Sequence, residues 1–150
     1  MEQIAAEWLQ GRASLGAAGA WTAEEMRLVA DVGYALAEQG RTDEAITIFE
    51  GLVALAPATS YFQSSLGALW LRKGEPRQAV EYLNAALASD PGDLNALTNR
   101  GESLLQLGER ESALRDLRRV AEASGVLNES ALACVTRARA LLRTEASATE

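Results

Sequence analysis

Residues 63–91 read QSSLGALWLRKGEPRQAVEYLNAALASDP, and the small residues in this stretch decide the fold. Gly67 is followed seven residues later by Gly74 and twelve residues later by Ala79. The same residue types recur 34 positions earlier and 34 positions later, which gives three columns: Gly33, Gly67 and Gly101; Gly40, Gly74 and Gly108; Ala45, Ala79 and Ala113. An internal period of this length is typical of stacked helical repeats.

The two glycine columns are expected to have different physical roles. A glycine inside a helix costs about 1 kcal/mol relative to alanine, so Gly33, Gly67 and Gly101 need a compensating reason. We expect that reason to be the close approach of a paired helix, because glycine has no side chain to hold two helix axes apart. The second column follows a helix and precedes a polar turn, where glycine ends a helix in the left-handed conformation.

Capping and spacing signals place the individual helices. Thr22-Ala23-Glu24-Glu25 is a capping box, and Thr42 and Asn128 are expected to cap later helices. With apolar residues at helical spacing, these signals predict helices over about 23–39, 43–55, 59–73, 76–89, 93–107 and 110–123. Outside them, a short helix over 2–10 and a Gly- and Ala-rich linker make up residues 1–21. A capping helix is expected over 128–143, and residues 144–150 are expected to be disordered.

These columns resemble the tetratricopeptide repeat family, whose pattern reads W-x2-L-G-x2-Y, then A-x3-F, then P. The unit that matches best carries Leu66-Gly67 and Ala79, with Gln63 in place of the signature Trp. The third unit departs from the pattern at Arg100, where Leu is usual. The resemblance implies an all-α fold, a right-handed α-solenoid of three helix hairpins with a 34-residue period. These hairpins would span residues 22–125, as units of about 26–59, 60–93 and 94–127.

The composition narrows the function classes. The chain has no histidine and one cysteine, Cys134, so it lacks the groups for Ser-His-Asp or Cys-His nucleophile systems and the commonest metal ligand. Cys134 lies in an apolar stripe and is expected to be a buried small hydrophobe. No phosphate-binding glycine motif occurs. We therefore expect no enzyme activity, no catalytic residue, no cofactor and no metal.

Charge and hydropathy narrow the class of partner and the cellular compartment of the protein. The formal net charge of −7, from 21 acidic and 14 basic residues, disfavours nucleic acid as a partner. No stretch approaches the ~20 apolar residues of a membrane span. The first residues lack the basic start and unbroken apolar core of a signal peptide, and a single cysteine fits a reducing compartment. These features favour a cytoplasmic protein that does not insert into a membrane.

The family resemblance implies where a partner polypeptide would bind. The first helices of the hairpins would line a concave groove, which mixes aromatic, aliphatic, small and polar side chains. The residues expected there are Arg27, Tyr34, Tyr61, Ser64, Ala68, Leu71, Arg72, Asn95, Thr98, Glu102 and Leu105. Tyr34 and Tyr61 would clamp an extended peptide, because aromatic rings are favoured interface anchors. Alternatively, one or both pack between helices as core.

The overall layout also resembles the translocator chaperones of bacterial type III secretion. These are short acidic proteins with an N-terminal helix, three repeats and a closing helix, and Tyr61-Phe62 before Leu66-Gly67-Ala68 is similar to their second repeat. This resemblance implies a chaperone that holds a segment of a secretion substrate in its groove and forms a homodimer through its N-terminal region.

A different function remains open from the sequence. The chain would then be a scaffold subunit of a larger assembly that binds through its terminal helices or its convex or edge surface. Trp8 and Leu9, on the short N-terminal helix, are the candidate residues for such self-association. The same helix could instead fold back onto the end of the repeat array.

Overall fold

Seven α-helices and no strand make up residues 21–149, the part of the chain that the computed structural model describes. The predicted all-α fold class is confirmed. The short helix predicted over 2–10 lies outside the described residues. The helices are α1 (Ala23–Glu38), α2 (Thr42–Leu55), α3 (Ser60–Lys73), α4 (Pro76–Ser89), α5 (Leu94–Gln106), α6 (Arg110–Ala121) and α7 (Glu129–Ser147).

The helices form three stacked hairpins followed by a single helix. Helix α1 pairs with α2, α3 with α4, and α5 with α6, and each hairpin packs against the next. Helix α3 also contacts α5, and α5 contacts α7, so the first helices of successive hairpins lie side by side. This arrangement is an α-solenoid with α7 stacked on its last hairpin. None of the helices in residues 21–149 has both the length and the apolar character needed to cross a membrane.

The first glycine column brings the two helices of each hairpin into close contact. A Cβ atom added at Gly67 would lie 2.5 Å from Cγ of Leu83, and one added at Gly101 would lie 2.8 Å from Cγ of Leu117. At Gly33 the added atom would lie 2.7 Å from the Phe49 ring. The predicted close approach is confirmed, because a side chain at any of these positions would displace the large residue opposite.

The second glycine column ends the first helix of each hairpin. Gly40, Gly74 and Gly108 have φ values of 79°, 87° and 79°, the left-handed conformation that the sequence predicts for them. Residues with a Cβ atom rarely adopt this conformation, so glycine fits the tight turn to the second helix.

Two neighbouring apolar clusters form the core. The first joins α1, α2 and one side of α3, and the second runs from the end of α3 through α7. Trp70 packs against both clusters and links them into one continuous core. Their most buried large members include Phe49, Leu83 and Leu117, the residues that face the glycine column.

The helix caps predicted from the sequence are present at two positions and absent at a third. Thr22 and Glu25 form the predicted capping box, in which the Glu25 backbone N–H donates to Thr22 Oγ1 at 3.2 Å. Asn128 accepts the Ala131 N–H at 2.8 Å. The prediction that Thr42 caps α2 is wrong, because Thr42 is already the first helical residue. The cap position belongs to Arg41, which makes no side-chain cap bond.

The last helix is longer than the sequence indicates. It was expected to end at residue 143 before a disordered tail, but α7 continues to Ser147. Glu145 accepts a hydrogen bond from Nε of Arg110 at 3.0 Å, and the backbone carbonyl of Glu145 accepts a second from the same guanidinium. This contact with α6 stabilises the extra turn, and it joins residues 35 positions apart.

Candidate functional site: a groove across the first helices

A cavity of about 720 Å³ lies where α1, α3, α5 and the start of α7 meet. We call it the groove. Its volume is in the range of sites that hold a ligand or a peptide side chain. Six of the predicted groove residues line it: Tyr34, Tyr61, Ser64, Ala68, Arg72 and Asn95.

Two predicted groove residues are buried in the core. Leu71 is 8% exposed and belongs to the second apolar cluster, and Thr98 is 1% exposed, with its hydroxyl donating to the Leu94 carbonyl at 2.7 Å. Placing these two side chains in the groove was wrong. Leu71 is covered by the side chains of the second apolar cluster, and Thr98 lies beside Ser130 and Cys134 of α7.

Three other predicted residues lie outside the groove for different reasons. Arg27 is exposed on α1, and Leu105 packs against the second apolar cluster. Glu102 forms an ion pair with Arg137 of α7. Trp8 and Leu9, the predicted self-association residues, lie outside the described residues, so their role stays a prediction.

An aromatic wall forms one side of the groove. The rings of Tyr34 and Tyr61 are 6.1 Å apart between centroids, and Tyr61 is 50% exposed. Tyr34 also meets the buried ring of Phe49 edge-on at 5.1 Å. Tyr34 therefore packs against the core, one of the alternatives left open by the sequence, and it also lines the groove. Its role as a peptide clamp stays a prediction.

The Tyr34 hydroxyl is fixed by the neighbouring helix. It shares a hydrogen bond with the hydroxyl of Ser65, and that hydroxyl donates to the Tyr61 carbonyl at 2.8 Å. Burial raises the pKa of Tyr34 above its ordinary value, so the phenol is neutral at physiological pH. The ring is consequently held in one orientation by an uncharged contact.

Ser64 brings a free polar group to the groove floor. Its side chain is 6% exposed and lines the cavity, yet its hydroxyl has no hydrogen-bond partner among the described residues. Its neighbour Ser65 and the buried Thr98 instead bond back to the carbonyl one helical turn earlier. Within residues 21–149 the fully buried side-chain polar atoms without a partner are Gln63 Oε1 and Trp70 Nε1. The Ser64 hydroxyl instead reaches the open cavity, where it can bond to a polar group that enters the groove.

Four charged side chains line the groove without an ion-pair partner among residues 21–149: Glu38, Arg72, Asp90 and Asp93. Of these, Asp90 and Asp93 were not expected there. The sequence shows Asp90-Pro91-Gly92-Asp93 only as a turn, and no local signal places it in the groove. This turn lies in the groove because α4 ends beside the start of α3, where the Ser60 hydroxyl donates to the Ala86 carbonyl at 3.2 Å.

Helix α7 closes the end of the groove. Ser130 contributes to the lining, and its hydroxyl accepts a hydrogen bond from the Asn95 side-chain amide at 3.3 Å. Arg137 donates to the side chain of Asn99 at 3.1 Å and also binds Glu102. The concave surface of the third hairpin is therefore partly covered by this chain's own last helix.

Cys134 of α7 lies next to Asn95, the residue that bonds to Ser130. Its thiol is 3.2 Å from the side-chain oxygen of Asn95, and its pKa is raised by burial, which opposes formation of the reactive thiolate. The predicted role as a buried small residue agrees with its place in the second apolar cluster.

The sequence matches a known family model twice. The model described as "Tetratricopeptide repeat" matches residues 30–93 and again residues 65–126, which together cover more than half of the chain. Among curated proteins, the BBSome complex member bbs-4 of Caenorhabditis elegans is 26% identical over 102 residues, 68% of this chain. The chain spans only 22% of the length of that relative.

Solved structures share the fold of this chain. A T3SS complex from Aeromonas hydrophila superposes with a TM-score of 0.78 at 23% identity, covering 99% of this chain and 98% of that one. The Yersinia enterocolitica type III secretion chaperone SycD, solved in complex with a peptide of the translocator YopD, gives a TM-score of 0.76 at 20% identity. That match covers 88% of this chain and 100% of that chain. At these identities the similarity establishes a common fold.

Proposed function

The chain belongs to the tetratricopeptide repeat family, and we propose that it is a non-enzymatic module that binds an extended segment of a partner polypeptide in the groove. The observation that carries this proposal is the combination of a cavity of about 720 Å³ with a half-exposed tyrosine, Tyr61, at its wall. Exposed aromatic rings beside a preformed concavity are typical anchors of protein interfaces.

The groove offers an apolar surface for a peptide side chain and hydrogen-bonding groups for the peptide backbone. The rings of Tyr34 and Tyr61, with Ala68 below them, form an apolar surface for a side chain. The free hydroxyl of Ser64 and the amide of Asn95 provide hydrogen bonds for a backbone. Because Tyr34 is already held by Ser65 and Phe49, little ordering is required on binding, which favours affinity.

We propose further that the partner is a secretion substrate and that the chain acts as its chaperone in the bacterial cytoplasm. Support comes from the shared fold with SycD, whose structure includes a peptide of the translocator YopD, and from the match over the full length of that chain. The test of this finer proposal is affinity capture from the native bacterium. Recovery of a translocator-type substrate is expected, and recovery only of cytosolic assembly subunits would contradict the chaperone role.

The groove is tested by Ala68→Glu. The new carboxylate would stand between the helices at the centre of the groove, so we expect loss of the peptides that the unmodified protein selects from a displayed library of random linear peptides. The matched control is Ala88→Glu, the same change on the exposed side of α4. Equal peptide selection by A68E and A88E, with both proteins folded by circular dichroism, would exclude the groove as the binding site.

A further inference from the structure

We propose that the groove selects segments that carry a lysine or arginine next to an apolar residue, and that Asp90 and Asp93 hold this cation. The inference rests on the proposed function, because it names the chemistry of the segment that the groove would receive.

The charge along the groove is uneven. Three acidic side chains, Glu38, Asp90 and Asp93, line the groove against one basic side chain, Arg72. Two of the acids lie together in one turn, where Asp90 ends α4 and Asp93 begins α5. Arg119 donates to the Pro91 carbonyl at 3.1 Å in the same turn, so two carboxylates there stand against one guanidinium. A peptide in the groove therefore meets a net negative charge at this turn.

Arg72 is too distant to neutralise the turn. The turn lies at the start of α3, because the Ser60 hydroxyl bonds to the Ala86 carbonyl four residues before Asp90. Arg72 is in the last turn of the same helix, about 16 Å along its axis from Tyr61 at a rise of 1.5 Å per residue. At physiological ionic strength, charges separated by more than about 8 Å are largely screened from each other.

Each of the two aspartates keeps one carboxylate oxygen available for a ligand. Asp90 uses one carboxylate oxygen to accept the Gly92 N–H at 3.2 Å, and Asp93 uses one to accept the Ala96 N–H at 3.1 Å. The second oxygen of each makes no hydrogen bond within residues 21–149. These local bonds orient the carboxylates while leaving an acceptor on each for an incoming ammonium or guanidinium group.

Ser64 gives independent evidence that a ligand enters at this end. Ser64 is 6% exposed as a residue, and its hydroxyl lines the groove without a hydrogen bond to any other described residue. It lies one helical turn after Ser60, so it is on the same side of the groove as the turn. The aromatic wall begins at Tyr61, between these two serines. A segment whose apolar side chain lies on that wall would place its neighbouring side chain next to Asp90 and Asp93.

The experiment compares three full-length proteins on one displayed library of random linear peptides. The unmodified protein is expected to enrich peptides with a lysine or arginine adjacent to an aliphatic or aromatic residue. D90N/D93N removes both charges but keeps the side-chain oxygens that bond to Gly92 and Ala96. It is expected to select the same apolar residues without the basic one. The control E50Q/E81Q removes two exposed carboxylates from α2 and α4 and is expected to keep the basic preference.

A selected peptide then gives the size of the effect. Exposed ion pairs contribute about 0.2–1 kcal/mol each, so loss of both carboxylates should make D90N/D93N bind that peptide about 2–30-fold more weakly than E50Q/E81Q does. The difference should shrink at high salt. Peptides selected without a basic preference, or a basic preference that survives in D90N/D93N, would overturn this inference and leave the proposed function standing. Failure of the unmodified protein to select any peptide would overturn both.

Discussion

At the scale of single residues, the fold depends on positions where no side chain fits. Gly67 faces Leu83 so closely that an added Cβ would lie 2.5 Å from Leu83 Cγ and 3.2 Å from the Ala79 carbonyl oxygen. The first of these atoms is a branch point and the second is backbone, so neither can move aside easily. The glycine is therefore required by packing, even though it weakens the helix that contains it.

We expect Gly67→Ala to lower the free energy of unfolding by about 1–3 kcal/mol, because overpacking between α3 and α4 outweighs the better helix propensity of alanine. Urea denaturation followed by circular dichroism measures this difference. Gly92→Ala is the matched control, since its added Cβ would meet no atom closer than 3.6 Å. If G67A were as stable as G92A, the close approach of the two helices would not constrain this position.

At the scale of helices, Arg100 shows how a departure from the family pattern is accommodated. Its guanidinium on α5 makes two hydrogen bonds to Asp116 on α6, at 2.6 and 2.8 Å, and a third to Asn84 on α4 at 2.9 Å. Asp116 is 5% exposed. The residue that replaces the usual Leu thus ties three helices together and provides the partner for a buried carboxylate.

We expect Arg100→Leu to destabilise the protein by about 3 kcal/mol, even though it restores the residue usual in the family, because Asp116 is left buried and without its partner. The double change R100L/D116L should recover most of this loss, since an apolar pair can replace a buried ion pair at little cost. Thermal unfolding of both variants checks this. Wild-type stability of R100L alone would show that the ion pair contributes nothing.

The sequence predicts the hairpins well because their decisive contacts are short in range. Gly67 and Leu83 are 16 residues apart, and the same spacing joins Gly33 to Phe49 and Gly101 to Leu117. The repeat period in the sequence therefore indicates the contact. The end of α7 could not be predicted in this way, because Glu145 is held by Arg110, 35 residues earlier. No local pattern at residues 144–147 records that interaction.

At the scale of the whole molecule, the groove is a product of how the hairpins stack. The sequence pattern correctly predicts Tyr34, Tyr61 and Ala68 in its wall, since these face the same side of successive first helices. It fails for Leu71, which packs into the second apolar cluster, and for Thr98, which lies against α7. It also misses Asp90 and Asp93, because stacking brings a turn from the far end of a second helix to the rim of the groove.

The location of a bound peptide tests the account most directly. A library-selected peptide is titrated into the unmodified, isotope-labelled protein, and the amide signals are followed by two-dimensional NMR. We predict that the largest shifts fall on Tyr61, Ser64 and Ala68 of α3 and on Asp93 and Asn95 at the start of α5. Shifts confined to the outer helices α2, α4 and α6, with the amide signals of the groove residues unchanged, would contradict the claim that the peptide binds in the groove.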